Sequence, residues 1–313
     1  MAKLEVTTNI HCPLMCRPCP QKGFLAAYGE AIREHRMLKL ADFATFLAKT
    51  PRHVTIVFSG MSEPFINPDC IAMIELALSS GFKVEVYSTL FRLSLADAEK
   101  LLALMRQYGP QVNRMVVHLP DARGNMPGWK PSPEYEAVLG LLRAANKDRA
   151  ITKIAAITMD DSGEVDPRLA HLRLRLRRHG WKPNSRAGSL DDALIASETA
   201  RPTTPRHAMP LQCSRDPGYD NNILLPNGEV LLCCQDWSKK HVLGNYFDQS
   251  YYELFAGPEM TAIRVDNLKA EFSERSLCRQ CVHAVPLVPE PKVKRPNLLA
   301  RLTARFRRSR KGW

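Results

Sequence analysis

Cys12, Cys16 and Cys19 fall in the run Ile10-His11-Cys12-Pro13-Leu14-Met15-Cys16-Arg17-Pro18-Cys19-Pro20. Three thiolates in one short loop can hold three irons of a cubane cluster and leave the fourth iron without a protein ligand. An electron-transfer cluster or a structural zinc takes a full set of protein ligands. An open iron is useful where something else binds to it. A zinc site completed by His11 or by a remote Cys is the other chemistry this loop allows.

Five more cysteines, Cys213, Cys233, Cys234, Cys278 and Cys281, lie in the C-terminal third. Asn227-Gly228 stands between apolar runs and predicts a tight hairpin turn, with Cys233 on the return strand. Cys278-Arg279-Gln280-Cys281 forms a CxxC pair, with 44 residues between Cys233 and Cys278. Cys70 shares a helical face with Ile74 and Ala77 and reads as core. Nine cysteines are an odd and high count, and their clustering favours metal ligation over disulfides.

The elements that must position these residues follow from periodicity. Strands are expected at Leu4–Asn9, Val54–Ser59, Lys83–Thr89, Arg114–Leu119 and Ile151–Thr158. Helices are expected at Leu38–Lys49, from Asn67 to Ser80 with Asn67 as cap and Gly81 as stop, and at Leu95–Tyr108, Glu134–Asn146 and Arg168–Gly180. This alternation implies βαβ units and a parallel sheet, an α/β fold read as a partial (β/α)6 barrel. In such barrels chemistry sits on loops at the C-terminal strand ends, where the first cysteine loop falls. Residues 1–190 are assigned to the barrel and 191–210 to a Pro- and Thr-rich linker. A small β-hairpin-plus-helix unit covers 211–285, and a basic tail covers 286–313.

The 313 residues carry a net charge of +12, and 45% are hydrophobic. Nine Lys or Arg and no acid lie between Lys292 and Trp313, so the rest holds 12 − 9 = +3. An ordinary body with a basic appendage argues against a nucleic-acid binder. Leu298, Leu299, Leu302 and Phe306 share one helical face of that tail. It could meet an anionic membrane surface or an acidic partner, or stay solvated. No apolar run is long enough for a membrane helix and no signal core opens the chain, so the expected location is cytoplasmic, with membrane-peripheral contact through the tail.

Other strand ends carry polar residues. Ser59-Gly60-Met61-Ser62-Glu63-Pro64 follows the second strand, Ser88 and Thr89 close the third, and His118 closes the fourth. Arg186 lies in Asn184-Ser185-Arg186-Ala187-Gly188, read as the end of a sixth strand. His118 also reads as a barrel-rim residue and Arg186 as a surface cation.

The CxxxCxxC after a first strand resembles the signature of the radical S-adenosylmethionine (SAM) superfamily. The resemblance implies a [4Fe–4S] cluster on Cys12, Cys16 and Cys19 whose open iron chelates SAM. Pro18 stands where that family usually has an aromatic residue. Gly60 and Glu63 resemble the family's Gly-Gly-Glu motif, which accepts hydrogen bonds from the SAM amino group. Ser88, His118 and Arg186 are then candidates for the rest of SAM or the substrate. The C-terminal unit resembles the twitch domain, the shortened relative of the SPASM domain. That resemblance implies a second, auxiliary [4Fe–4S] cluster fully ligated by Cys213, Cys233, Cys278 and Cys281. Cys234 is expected beside it, since neighbouring strand residues point opposite ways. A structural zinc on four of these cysteines is the alternative.

Together these resemblances imply an oxidoreductase using a 5′-deoxyadenosyl radical. The expected reaction is dehydrogenation or epimerisation of a sugar- or aminocyclitol-like molecule. The expected partners are a small-molecule or glycan substrate and a reductant such as flavodoxin or ferredoxin. The alternatives are a peptide- or protein-modifying radical SAM enzyme and, outside enzymes, a zinc-stabilised nucleic-acid-binding protein.

Overall fold

The computed structural model describes residues 2–151, 154–160, 162–172, 177–180, 184–190 and 204–287. Most of the linker, and the tail from residue 288 with its expected membrane or partner contact, lie outside these residues. The first half alternates strand and helix: β1 (Lys3–Val6), α1 (Gln21–Tyr28), α2 (Leu40–Lys49), β2 (Thr55–Phe58), α3 (Cys70–Ser79), β3 (Val84–Ser88), α4 (Leu95–Gln107), β4 (Val112–Leu119), α5 (Pro133–Ala145), β5 (Ile154–Thr158) and β6 (Arg177–Gly180). Strands β1 to β6 pair in sequence order, each parallel to the next. Thr55-Ile56-Val57-Phe58 is buried at every position, as expected for a parallel strand covered on both faces.

Local chemistry sets the boundaries. Gly81, at φ +85°, ends α3; its N–H donates to Leu78 O and the Phe82 N–H to Ala77 O. The N-cap of that helix is Asp69 rather than Asn67. The buried Asn67 amide instead donates to Thr8 O (2.7 Å) and Leu38 O (2.8 Å), joining the loop after β1 to the segment before α2. The helix expected over Arg168–Gly180 is not formed. A short 3-10 turn spans Pro167–Leu172, and Arg177–Gly180 is strand β6 beside β5. The alternation Leu172-Arg173-Leu174-Arg175-Leu176 has the period of two that belongs to a strand. The sixth strand therefore ends before Asn184-Gly188. Helix α1 was not expected.

The C-terminal unit holds β7 (Leu211–Cys213), β8 (Asn221–Leu224), β9 (Glu229–Leu231), β10 (Val242–Asn245), α6 (Tyr251–Ala256), α7 (Pro258–Asn267) and β11 (Ala284–Pro286). The Asn227-Gly228 turn joins β8 to β9 antiparallel, with Gly228 at φ +80°. Strand β8 pairs parallel with β1, Lys3↔Asn221 through Val6↔Leu224. The hairpin thus extends the barrel sheet into nine strands ordered β10-β9-β8-β1-β2-β3-β4-β5-β6. A separate β7–β11 pair sits beside it.

Arg279, fully buried between Cys278 and Cys281, ties this unit together. It donates to Met209 O (2.6 Å), His207 O (3.3 Å), Lys269 O (2.9 Å) and Asp266 O, and stands 3.5 Å from the Asp266 carboxylate. Two of these carbonyls belong to the C-terminal end of α7, where a cation is favoured. Arg279→Met should leave four buried or part-buried carbonyls without their donor and the buried Asp266 carboxylate with only the half-exposed Lys269 ammonium at 3.4 Å, and cost about 3–5 kcal/mol. The check is urea unfolding of the holoprotein, where an unchanged midpoint would contradict this account.

Candidate functional site

One cavity of about 720 Å³ is lined by both cysteine sets: Cys12, Cys16 and Cys19, and Cys213, Cys233, Cys234, Cys278 and Cys281. Gly60, Glu63, Ser88, His118 and Arg186 also line it, so the structure brings every residue expected at the site to one place. All nine cysteines are free thiols. His11 is not on the cavity wall. Cys70 is buried in α3, in the core.

The sheet explains how two distant sequence segments share one cavity. The loop from Thr7 to Cys19 leaves the C-terminal end of β1. Strand β9 runs back down beside β8, and Leu231 lies opposite Ile223. The Asn222 amide then donates to Leu232 O (2.8 Å), which holds the Cys233-Cys234 turn near the N-terminal ends of β1 and β8. The two cysteine sets therefore open from opposite ends of β1. At about 3.3 Å per residue, that four-residue strand separates them by roughly 13 Å.

Burial and neighbours set the protonation of the thiols. Burial pushes Cys12 up to about 12. Cys16 is also raised, first by its hydrogen bond to Cys19 and then by burial. That bond, with the Arg186 guanidinium, holds Cys19 down to about 7 despite burial. Burial likewise raises Cys233 and Cys278, and takes Cys281 to about 12. Buried thiols of this kind ionise when a metal supplies the positive charge.

Strand β9 ends at Leu231, so strand alternation does not separate Cys233 from Cys234, and both face the cavity. Their surroundings differ. Cys233 feels Cys234, Cys278 and Cys281, whereas Cys234 feels Glu5, Arg186 and Arg215 and itself acts on Cys281. The Cys278 loop is braced from behind by His241, which is fully buried. Its Nε2 accepts from the Leu277 N–H (3.0 Å), and its Nδ1 meets Glu259 (2.6 Å), itself paired with Arg275 (2.7 Å).

Gly60 sits at φ +71°, and a Cβ there would lie 2.2 Å from Thr7 Oγ1, so the turn after β2 reaches the cavity only as glycine. Glu63 is 3% exposed, and its carboxylate already accepts from Ser88 Oγ (2.7 Å), Thr89 N (2.7 Å), Thr89 Oγ1 (2.6 Å) and Phe65 N (3.3 Å). It clamps the end of β2 to the end of β3. His118 Nε2 is buried without a partner, and burial, then Arg186, takes the ring down to about 4, so it is neutral near pH 7. Arg186, at φ +49°, donates from Nε to Pro18 O (3.4 Å) and stands over Trp237.

A band of lumen residues was missed by sequence reasoning. Lys3, Glu5, Glu85, Tyr87 and Arg114 all line the cavity. Lys3 pairs with Glu85 (2.8 Å), Tyr87 OH donates to Glu85 (3.2 Å), and Arg114 Nη1 donates to Tyr87 OH (3.2 Å). Glu5 accepts from Ser59 Oγ (2.9 Å), and no cation of the described residues is within ion-pair distance. Burial pushes its carboxyl above the usual range, against the Ser59 hydrogen bond and the Lys3 charge. The available signal was charge at alternate positions of otherwise apolar strands, in Lys3-Leu4-Glu5 and Glu85-Val86-Tyr87.

This donor set fits iron–sulfur clusters and a polar ligand. Cavity-facing Gln21, His118, Gln235 and His283 each carry a buried polar atom without a partner. Among the described residues no three His, Cys, Asp or Glu side chains converge on a single ion. One zinc would draw its ligands to about 2.0–2.3 Å, whereas a cluster takes thiolates at separate corners.

Residues 213–282 match the family model of the SPASM iron–sulfur cluster-binding domain. The fold is similar to that of BtrN in complex with AdoMet and 2-DOIA, at 16% identity over 92% of this chain and 94% of that one, with a TM-score of 0.55. It is also similar to anSMEcpe with bound AdoMet and Cp18Cys peptide, at 11% identity over 90% of this chain and 86% of that one, with a TM-score of 0.51. No curated protein sequence matches the chain. The chain has the fold of radical SAM enzymes that carry a SPASM iron–sulfur domain. Among the described residues no helix is long and apolar enough to cross a membrane.

Replacing Cys12, Cys16 and Cys19 together with Ala should leave about four of about eight irons after anaerobic reconstitution, one cubane per cysteine set. Full retention of iron would remove these residues from the first cluster. In that background, Cys233→Ala should bleach the remaining thiolate-to-iron absorbance and Cys234→Ala should retain it. The opposite pattern would transfer the ligand role to Cys234.

Proposed function

We propose that this chain is a radical SAM oxidoreductase that dehydrogenates a polar, hydroxylated small molecule of the sugar or aminocyclitol kind. The observation that carries this reading is the single cavity with a cysteine set at each end of β1 and charged lumen residues between them. When bound, the first cluster and SAM supply a 5′-deoxyadenosyl radical that takes a hydrogen atom from a substrate carbon, and the second cluster supplies an electron acceptor.

Cys12, Cys16 and Cys19 hold the first group, and Cys213, Cys233, Cys278 and Cys281 hold the second. Gly60 lets the backbone approach SAM, and the Glu63 clamp on Ser88 and Thr89 fixes the adjoining strand ends. Arg186 offers a charged donor to a carboxylate. Glu5 lies between the two sets, on the strand that joins them. One oxygen is steadied by Ser59, and the carboxylate can take the proton of a substrate hydroxyl as its carbon becomes a carbonyl. Lys3, Glu85, Tyr87 and Arg114 continue the polar path to the exposed end of the lumen. Loss of a hydrogen atom, a proton and an electron together turns CH–OH into C=O, which favours dehydrogenation over epimerisation.

A peptide substrate is the second reading, supported by the similarity to peptide-bound anSMEcpe. The reconstituted protein, given SAM and dithionite, should form 5′-deoxyadenosine. Ketone formation from 2-DOIA supports the small-molecule reading, and modification of Cp18Cys peptide supports the other. No 5′-deoxyadenosine with any substrate would remove the radical SAM assignment. Glu5→Gln should keep its iron and its SAM affinity by calorimetry while ketone formation falls about 10²- to 10⁴-fold. An undiminished rate would take Glu5 out of the chemistry.

A further inference from the structure

The charges of the cavity are unevenly displayed. Its acids are drawn inward and held by donors. Glu85, 5% exposed, takes Lys3 Nζ on both oxygens (3.0 and 2.8 Å) and accepts from Tyr87 OH (3.2 Å). Asp216, 8% exposed, accepts from Asp220 N (3.1 Å) and Asn221 N (2.9 Å). Glu63 is closed by its strand-end clamp, and Glu5 accepts from Ser59 Oγ. Two cations on the same wall are displayed instead. Arg114 and Arg215 are exposed, and among the described residues neither forms an ion pair with a carboxylate.

Arg114 is placed by β4. It stands opposite Glu85 in the β3–β4 register, but Lys3 has taken that carboxylate. The guanidinium donates from Nη1 to Tyr87 OH (3.2 Å), and its other N–H groups have no protein acceptor among the described residues. Arg215 is placed by the β7–β11 pair. Ser214 N and Oγ both donate to His283 O (2.8 and 2.9 Å), which sets the next residue, Arg215, near His283. Arg215 acts electrostatically on His283 and on Cys234. His283 Nε2 is buried on the cavity wall without a partner. A free guanidinium beside an imidazole nitrogen can share one oxyanion, the ring donating from its Nε2–H tautomer.

One arc of contacts joins the two arginines. The Asp216 carboxylate holds Asn221 N, Asn221 is the register partner of Lys3, Lys3 binds Glu85, and Tyr87 links Glu85 to Arg114. Both cations stand away from the loop of Cys12, Cys16 and Cys19. Arg114 lies four residues before His118, about 13 Å along β4, and Arg215 is two residues beyond Cys213. The carboxylate of SAM, which belongs at the open iron, is therefore not their partner.

We propose that Arg114 and Arg215 bind an anionic substituent of the substrate, a phosphate ester or a carboxylate, so that the molecule oxidised here is an anionic sugar. The inference rests on the dehydrogenase reading and names the substrate class of that same site. A planar guanidinium fork matches either oxyanion, and two such forks fix one end of the ligand. The hydroxylated ring is then directed inward to Glu5, which is level with Arg114 across Val57 and Glu85. Unpaired cations at an opening with low-dielectric walls also raise the local concentration of an anionic ligand.

The test is calorimetric binding to the anaerobically reconstituted full chain with SAM present, at fixed ionic strength. The probes are D-glucose 6-phosphate, D-glucuronate and D-glucose, which differ in the charged substituent. One charged sugar should bind about 10-fold or more tighter than glucose, and which one does so separates phosphate from carboxylate. Arg114→Gln with Arg215→Gln should abolish that preference while glucose binding and iron content stay as in the wild type. Arg114→Lys with Arg215→Lys should keep most of it. Arg114→Gln alone, remote from the cysteines, carries the test should Arg215→Gln lose iron. A control pair on the outer surface, Arg33→Gln with Arg36→Gln, should bind all three sugars as the wild type does. Charged sugars that bind no tighter than glucose, or a preference that survives Arg114→Gln, would overturn the proposal. Binding needs no turnover, so a preference for the charged sugar without 5′-deoxyadenosine formation would instead defeat the dehydrogenase reading.

Discussion

The parallel pairing of β8 with β1 is the constraint on which the rest of this molecule depends. Four residues of β1 meet four of β8, from Lys3↔Asn221 to Val6↔Leu224. Ile223, Leu224 and Leu225 are fully buried behind that seam. A slip of one residue would exchange buried and cavity-facing positions along the strand. Asn222 resists it, with its buried amide bound to both Tyr219 O and Leu232 O. Because the ladder fixes the C-terminal unit against β1, the two cysteine sets open onto one space at a set separation. A unit tethered only by the 191–210 segment would have no such relation to the first loop.

That space is chemically unusual for a barrel. Closed (β/α)8 barrels fill their lumen with branched apolar side chains. Here Glu5, Val57, Glu85 and Arg114 are level with one another across β1 to β4. Placing charge in a lumen carries a desolvation cost that pairing offsets only in part. Lys3, Tyr87 and Arg114 offset it for Glu85. Glu5 has only neutral hydrogen-bond partners, the Ser59 hydroxyl and the Gly60 backbone, with Lys3 and Arg186 acting from farther off, and that imbalance marks it as a group held ready for a ligand rather than for the fold.

The sequence made some features plain because the physics behind them is local. Cysteine spacing, the Asn227-Gly228 turn and the Gly81 stop depend on a few adjacent residues. At the segment Arg168–Gly180, read as a helix, the described residues instead form a 3-10 turn over Pro167–Leu172 and a strand over Arg177–Gly180, whose pairing beside β5 depends on the sheet rather than on adjacent residues. The β8–β1 seam was not legible, since parallel pairing across more than 200 residues leaves no short-range mark. Strand alternation was also asked to decide between Cys233 and Cys234, where the strand had already ended at Leu231. The lumen charges were visible as letters, but their inward direction needed the sheet.

The same distinction bears on why one cysteine set has three members and the other more. A loop with three thiols keeps a corner free only if no neighbouring side chain fills it. The carboxylate that acts electrostatically on both Cys12 and Cys16 is Glu63. It is the obvious competitor, yet four donors from Phe65, Ser88 and Thr89 occupy its two oxygens. Releasing it to bind metal would break all four bonds and leave buried donors without partners, at about 1–3 kcal/mol each. The strand-end clamp therefore does two things. It fixes the rim of the barrel, and on the proposed reading it withholds the nearest protein oxygen from the open iron. At the other end of β1, His241 and Arg279 hold the Cys278–Cys281 loop from behind, so that its thiols face inward with their fellow cysteines. One site is thereby kept open for a ligand and the other closed, which is the division that bond-breaking and electron-accepting chemistry would require.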